Sequence, residues 1–226
     1  MNMVQHEEQA VFLPTFPGAH GLNSCYDTVV RTLQHRHTTF NTALNQLTHH
    51  AFALSNAAER LIATLQSGHK VLIAGNGGSA AEAQHFAAEL VGRFKRERLA
   101  YPVMALTTDT STLTAVANDY GYHNVFARQV QAFGQTGDLF IAFSTSGESE
   151  NLVRAACIAR QKQLEVIAVT GNRTNRLEEH ATVAIHVPVE ETATTQELHM
   201  IVTHILCDIT EARLAAEERF NTQERQ

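Results

Sequence analysis

The chain has 226 residues, 44% of them hydrophobic, and a formal net charge of −6 at pH 7. That length can bury a full core, and the acidic balance, with no basic stripe interleaved with aromatics, argues against nucleic acid, whose binding relies on Lys and Arg. No apolar run approaches the roughly 20 residues that cross a bilayer, and residues 1–21 lack the basic start and apolar centre of a secretory leader; a cytoplasmic protein without a membrane partner is expected.

Residues 1–23 carry Pro14, Pro17, Gly18 and Gly21 with no sustained period, which predicts a loose arm. From about 26 to 66 there is no Pro or Gly, and Val29, Leu33, Phe40, Leu44, Leu47, Phe52, Leu54, Leu61 and Leu65 fit a long helix or helix pair. Residues 24–67 are therefore expected to form a helical segment used in oligomerisation. After Gly68 short β-rich runs (70–74, 102–107, 138–143, 165–170, 182–187) alternate with helical patterns (80–94, 110–118, 125–134, 148–162, about 194–220). Alternation of this kind predicts an α/β domain over residues 68–220, a five-stranded parallel sheet between two helix layers, with right-handed crossovers. Ligands of such sheets bind beyond the carboxyl ends of the strands.

Two of those ends carry loops of one design. KVLIAGNGGSAAEAQHF (70–86) and DLFIAFSTSGESENLV (138–153) each run from an apolar stretch through Gly and Ser into a helix. Glycine lets backbone approach an anion, the first helical N–H groups point at it, and hydroxyls add donors. Neither loop matches a G-x-G-x-x-G or G-x-x-x-x-G-K-[ST] nucleotide motif. A small phosphorylated ligand is the expectation.

On the helix opened by the first loop, His85 and Glu89 are four apart and share a face. An imidazole and a carboxylate aimed together suit a metal ion or an acid–base pair. In the last helix Gln196 and His199 are i,i+3, and spacing alone pairs those two; His204 lies farther on, in an apolar run where an imidazole needs a hydrogen-bond partner or a ligand. The cationic stretch Arg93-Phe94-Lys95-Arg96-Glu97-Arg98 reads as a solvated helix end. Cys25, Cys157 and Cys207 have no metal spacing and read as small hydrophobes.

AGNGGSAAEAQHFAAELVGRF (74–94), TAVANDYGY (114–122), STSGES (144–149) and QELHMIVTH (196–204), in that order, resemble the phosphoheptose isomerases, the sedoheptulose 7-phosphate isomerase branch of the sugar-isomerase (SIS) domain proteins. The resemblance covers about residues 54–213. It implies an aldose–ketose isomerase making D-glycero-D-manno-heptose 7-phosphate, a cytoplasmic homotetramer with one zinc per subunit near subunit interfaces. Carried onto this sequence, the zinc ligands fall on His85, Glu89, Gln196 and His204, so the resemblance selects His204 where spacing preferred His199. Substrate contacts fall on Asn76, Gly77, Gly78, Glu89, Asn118, Asp119, Ser144, Thr145, Ser146, Ser149 and Gln196. Glu89 takes the role of base and His204 that of the complementary acid, with the metal as Lewis acid. Some members carry an Asp three residues before the glutamine, where this chain has Ala193.

Two other readings share the scaffold. QHFAA and TDTSTLTAVAND also resemble a non-catalytic tetrameric SIS adaptor that binds a replication initiator; that branch lacks the carboxylate and histidine corresponding to Glu89 and His204, and this chain has both. A sugar-phosphate-sensing SIS module would come with an effector domain, and residues 1–66 contain no basic recognition helix.

Overall fold

The computed structural model describes residues 22–223, with side chains from 25 to 217; the expected N-terminal arm therefore lies almost wholly outside the described residues. Two units meet between Asn41 and Thr42, within helix α1 (Leu22–Leu47). The described part of the first unit is the α1 stretch up to Asn41. There Tyr26, Val29 and Leu33 are exposed at helical spacing, and the Asn41 amide meets the His37 ring at 3.0 Å one turn back.

The second unit begins with the end of α1. A 3-10 turn at Thr48–His50 separates it from α2 (Ala51–Gln66), so the Pro- and Gly-free stretch is a helix pair. The chain then alternates through β1 (Val71–Gly75), α3 (Gly78–Val91), β2 (Val103–Ala105), α4 (Thr110–Tyr120), α5 (Val125–Phe133), β3 (Leu139–Ser144), α6 (Glu150–Gln161), β4 (Glu165–Thr170), β5 (Val183–His186) and α7 (Thr192–Gln223). All five strands are parallel, in the order β2-β1-β3-β4-β5. Strands β2 and β5 are shorter than the apolar runs that announced them, because both lie at sheet edges where fewer neighbours extend the ladder.

The pleat sends alternate side chains to opposite faces. Leu72, Ala74, Phe140, Ala142, Val166 and Ala168 form one face, packed on Val125, Phe126 and Val130 of α5 and Leu152, Ala155 and Ala156 of α6. On the other face Ile73, Ile141, Phe143, Ile167 and Val169 are buried, beneath α2, α3 and α7. Phe86 of α3 meets Phe143 with ring centroids 6.3 Å apart. The fold is thus a three-layer α/β/α sandwich. Burial on both sides explains why β1 and β3 read as continuous apolar runs, and each large side chain so buried contributes about 2 kcal/mol.

From β1 the chain moves outward to β2 and then returns to place β3 on β1's other side. The order reverses between β1 and β3, where a parallel sheet opens a crevice at its carboxyl edge. Gly75 pairs in register with Phe143, so the loops following β1 and β3 leave the sheet side by side at that crevice.

Candidate functional site

The first loop turns on Gly77, whose φ of +56° is a conformation L side chains rarely adopt. Asn76 is held by amide exchange with Asn151 of α6: each Nδ2 donates to the other's Oδ1, at 2.9 Å. Tyr122, in the 3-10 turn after α4, donates its hydroxyl to the same Asn76 Oδ1 at 3.0 Å. The first loop is thereby tied to the start of α6 and to the segment after α4. Asn118 and Asp119, at the end of α4, are exposed and bonded to each other at 2.8 Å.

In the second loop Ser144 is buried and its Oγ accepts the Gly147 N–H at 3.0 Å, while Ser146 Oγ accepts that of Glu148 at 3.2 Å. Ser149 caps α6 in the extended conformation without a side-chain capping bond, which leaves its hydroxyl oriented by other demands. Thr145 and Ser146 open onto a cleft of about 340 Å³ whose far wall includes Asn172, Arg173 and Thr174. Arg173 brings a cation to this hydroxyl-rich loop, paired with Glu190 at 3.2 Å.

The two helices that carry imidazoles converge beside the first loop. His85 Nε2 of α3 stands 3.0 Å from His204 Nε2 of α7 and 3.2 Å from Glu89 Oε1. One donor atom from each of His85, Glu89 and His204 lies within 4.8 Å of the others. Two imidazole nitrogens and a carboxylate oxygen match the donor set of zinc and related borderline cations, so these residues fit a metal. Gln196 stands two turns before His204 on α7, its amide against Gly78 so closely that a Cβ there would overlap it. The Phe94 ring lies over His204, with centroids 5.4 Å apart and planes at 22°.

His199 takes no part in this cluster. It is fully buried, faces Phe143 at 5.9 Å between centroids and lies 3.4 Å from Glu82 Oε2. Helix α7 crosses α3 so that the i,i+3 partner of Gln196 points into the core, which spacing within one helix does not reveal.

The stretch read as a solvated helix end is more than that. Lys95 and Arg96 pair with Asp208 at 2.8 and 2.9 Å, and the Arg98 side chain is buried against Glu211. Asn151, Tyr122, Phe94 and Glu211 were not singled out from sequence; each acts through a partner distant along the chain, and no local pattern marks it. Cys207 is buried on α7, and burial first, then the Glu89 and Glu211 charges, push its thiol up to about 12, in keeping with a small hydrophobe.

Residues 37–171 match the family model described as "SIS domain". Among curated relatives, the chain is 50% identical over 160 residues to the phosphoheptose isomerase of Helicobacter hepaticus, covering 71% of this chain and 82% of that protein. It is 48% identical over 168 residues to that of Thiobacillus denitrificans, covering 73% and 85%. The solved phosphoheptose isomerase of Neisseria gonorrhoeae superposes with a TM-score of 0.75 at 37% identity, over 83% of this chain and 99% of that one. That of Francisella tularensis gives 0.72 at 35%, over 80% and 98%. The matched model and the superpositions place the chain among the SIS-domain isomerases. Within that class, the chain belongs to the phosphoheptose isomerase family and is an enzyme. Among the described residues no helix is long and apolar enough to cross a membrane.

Proposed function

We propose that the chain converts D-sedoheptulose 7-phosphate to D-glycero-D-manno-heptose 7-phosphate in the cytoplasm, as a homotetramer with one zinc per subunit. The observation that carries this reading is the convergence of His85, Glu89 and His204 beside two Gly/Ser loops at the sheet's switch point.

Moving the carbonyl from C2 to C1 requires removing a proton from C1, stabilising the enediol(ate), and delivering a proton to C2. Glu89 is assigned the carbon-bound proton, which it takes from C1 and returns to C2. His204 exchanges protons with the sugar oxygens, donating where negative charge develops and recovering the proton as the aldose forms. Ser144, Thr145, Ser146 and Ser149 grip the phosphate with the N-terminal turn of α6, and Asn76, Gly77, Gly78, Asn118 and Asp119 orient the sugar. His85, Glu89, Gln196 and His204 would hold the zinc, which supplies Lewis acidity to the developing oxyanion. Ala193 leaves one side of the sugar without the carboxylate some members carry.

A second copy of the chain has an apolar groove to meet. Between α2 and α7, Leu54, Ala58, Ile62, Ile205 and Ile209 line a cavity of about 560 Å³, which supports the tetramer.

The test is to incubate purified protein with sedoheptulose 7-phosphate, with and without chelator and zinc add-back, and follow aldoheptose 7-phosphate by NMR. Conversion lost on chelation and restored by zinc is expected; no conversion by zinc-loaded protein would overturn the reading.

A further inference from the structure

A single carboxylate folds the segment after α3 back across α7. Glu211 is fully buried, and it accepts the backbone N–H groups of Phe94, Lys95 and Arg96 at 2.9, 2.8 and 2.9 Å. It stands seven residues beyond His204, two turns along the same face of α7. Three N–H donors on one carboxylate are charge-assisted and directional; they fix the course of residues 94–96. The product of that course is the Phe94 ring stacked on the His204 imidazole.

The same carboxylate holds a second arm. Arg98, its side chain buried, approaches Glu211 Oε1 with Nε at 3.5 Å. Its terminal nitrogens donate to the carbonyls of Glu89, Gly92 and Leu99 at 2.8, 2.8 and 2.9 Å. Glu89 and Gly92 mark the end of α3, whose last carbonyls have no partner within the helix. Arg98 therefore caps the turn that carries Glu89, and a buried charge contact, with no hydrogen bond from its Nε, ties it to the helix that carries His204.

We propose that Glu211 is a positioning residue for the isomerase site: through the 94–96 backbone it seats Phe94 on His204, and through Arg98 it moors the α3 turn bearing Glu89 to α7. The inference rests on the roles assigned above to Glu89 and His204. A buried ion pair is weak evidence for stability alone, because desolvation offsets much of the attraction. The carboxylate also meets the Arg96 guanidinium at 3.5 Å, which leads to Asp208, but its contacts with the Phe94 N–H and with Arg98 lead to groups beside His204 and Glu89, where small misplacements are costly in rate.

The test is a double-mutant cycle on the full-length, zinc-loaded enzyme: Glu211→Gln, Phe94→Leu and the pair, with Phe94→Tyr as the conservative variant. Turnover and KM for sedoheptulose 7-phosphate are read together with zinc affinity, measured by competition with a chromophoric chelator. Glu211→Gln and Phe94→Leu are each expected to lower kcat about tenfold with KM within about twofold, and to weaken zinc binding. Phe94→Tyr should return kcat to within about threefold of the parent, and the pair should lose no more than Glu211→Gln alone, because the Phe94 contact is one of the two that the carboxylate sets. Additive losses, or parental kcat in either single variant, would overturn the proposal. Should Glu211→Gln not fold, Glu211→Asp, which keeps the charge but withdraws the carboxylate from the 94–96 backbone, takes its place in the cycle under the same criteria. His204→Asn separates the two readings: if it is inactive while the cycle is additive, only this inference falls, and if it retains turnover both fall.

Discussion

His85 Nε2 and His204 Nε2 face each other at 3.0 Å across the α3–α7 contact. Two neutral imidazoles satisfy that contact only if one gives up its lone pair to the other's N–H, whereas a cation takes both lone pairs together with a Glu89 oxygen. The contact is thus an N–H···N hydrogen bond without metal, and two converging donors once an ion is present. His85→Ala is expected to reduce zinc from one to well below one per subunit and to lower turnover at least about 100-fold. Metal content by mass spectrometry, measured beside activity, checks this; stoichiometric zinc in the variant would show that the cluster is not the site.

Glu89 differs from His85 in carrying a carboxylate that can accept a carbon-bound proton. Glu89→Gln keeps an oxygen donor toward the metal but removes the base. Turnover should fall by about 1,000-fold or more while sedoheptulose 7-phosphate binding, measured by calorimetry, stays within about threefold of the parent. Appreciable turnover would remove Glu89 from the role of base.

Gly78 is needed for space, because any Cβ there would overlap the Gln196 amide. Gly78→Ala must push that amide away, with the expected loss in kcat/KM about tenfold. In a Gln196→Ala background the same substitution should have little further effect, since the group it displaces is gone. A full additional loss in that background would mean that Gly78 acts on the substrate directly.

Much of the sheet and two of the three members of the His/Glu cluster were legible from the residues. Strands β1 and β3, buried on both faces, had to be apolar runs ending in Gly and Ser, and His85 and Glu89 are neighbours through one helical turn. The choice of His204 over His199 was not legible from spacing, because it depends on which side of α7 meets α3; only the family resemblance selected it. Asn151 reaches Asn76 across 75 residues and Glu211 reaches Lys95 across 116. Charged residues after a helix look solvated until a second helix covers them, which is why Arg98 was read as surface.

Glu82 and His199 are the buried polar pair behind the site, 3.4 Å apart and both nearly inaccessible. No hydrogen bond to these side chains is formed among the described residues, and removing the Glu82 carboxyl leaves the His199 ring buried without that polar neighbour, at a cost of about 1–3 kcal/mol. Glu82→Ala is expected to lower the midpoint of thermal unfolding by several degrees yet leave zinc stoichiometry intact, since His85, Glu89 and His204 are untouched. Calorimetry with metal analysis tests both halves; a variant as stable as the parent would show that the pair contributes nothing to folding.

Glu211 also makes stability depend on pH. Burial raises its pKa, but the N–H groups of Lys95, Phe94 and Arg96 and the Arg98 guanidinium outweigh this, and the carboxyl lies below its ordinary value of 4.5. Above that value folded and unfolded chains both carry the ionised group, and its contribution to stability is fully present. As pH falls past 4.5 the unfolded chain takes up a proton that the folded one does not, so the contribution declines until the folded group also protonates. Asp208, held low by its bonds to Lys95 and Arg96, and Glu150, held low by Arg154 and Arg176, act in the same direction. The melting temperature should therefore drop between about pH 5 and 3, and the drop should be shallower in Glu211→Gln, which has no proton to bind at that site. Both proteins are melted metal-free in the presence of chelator, so that loss of zinc does not enter the comparison. Parallel acid limbs would mean that the carboxyl at 211 titrates alike in the folded and unfolded chains.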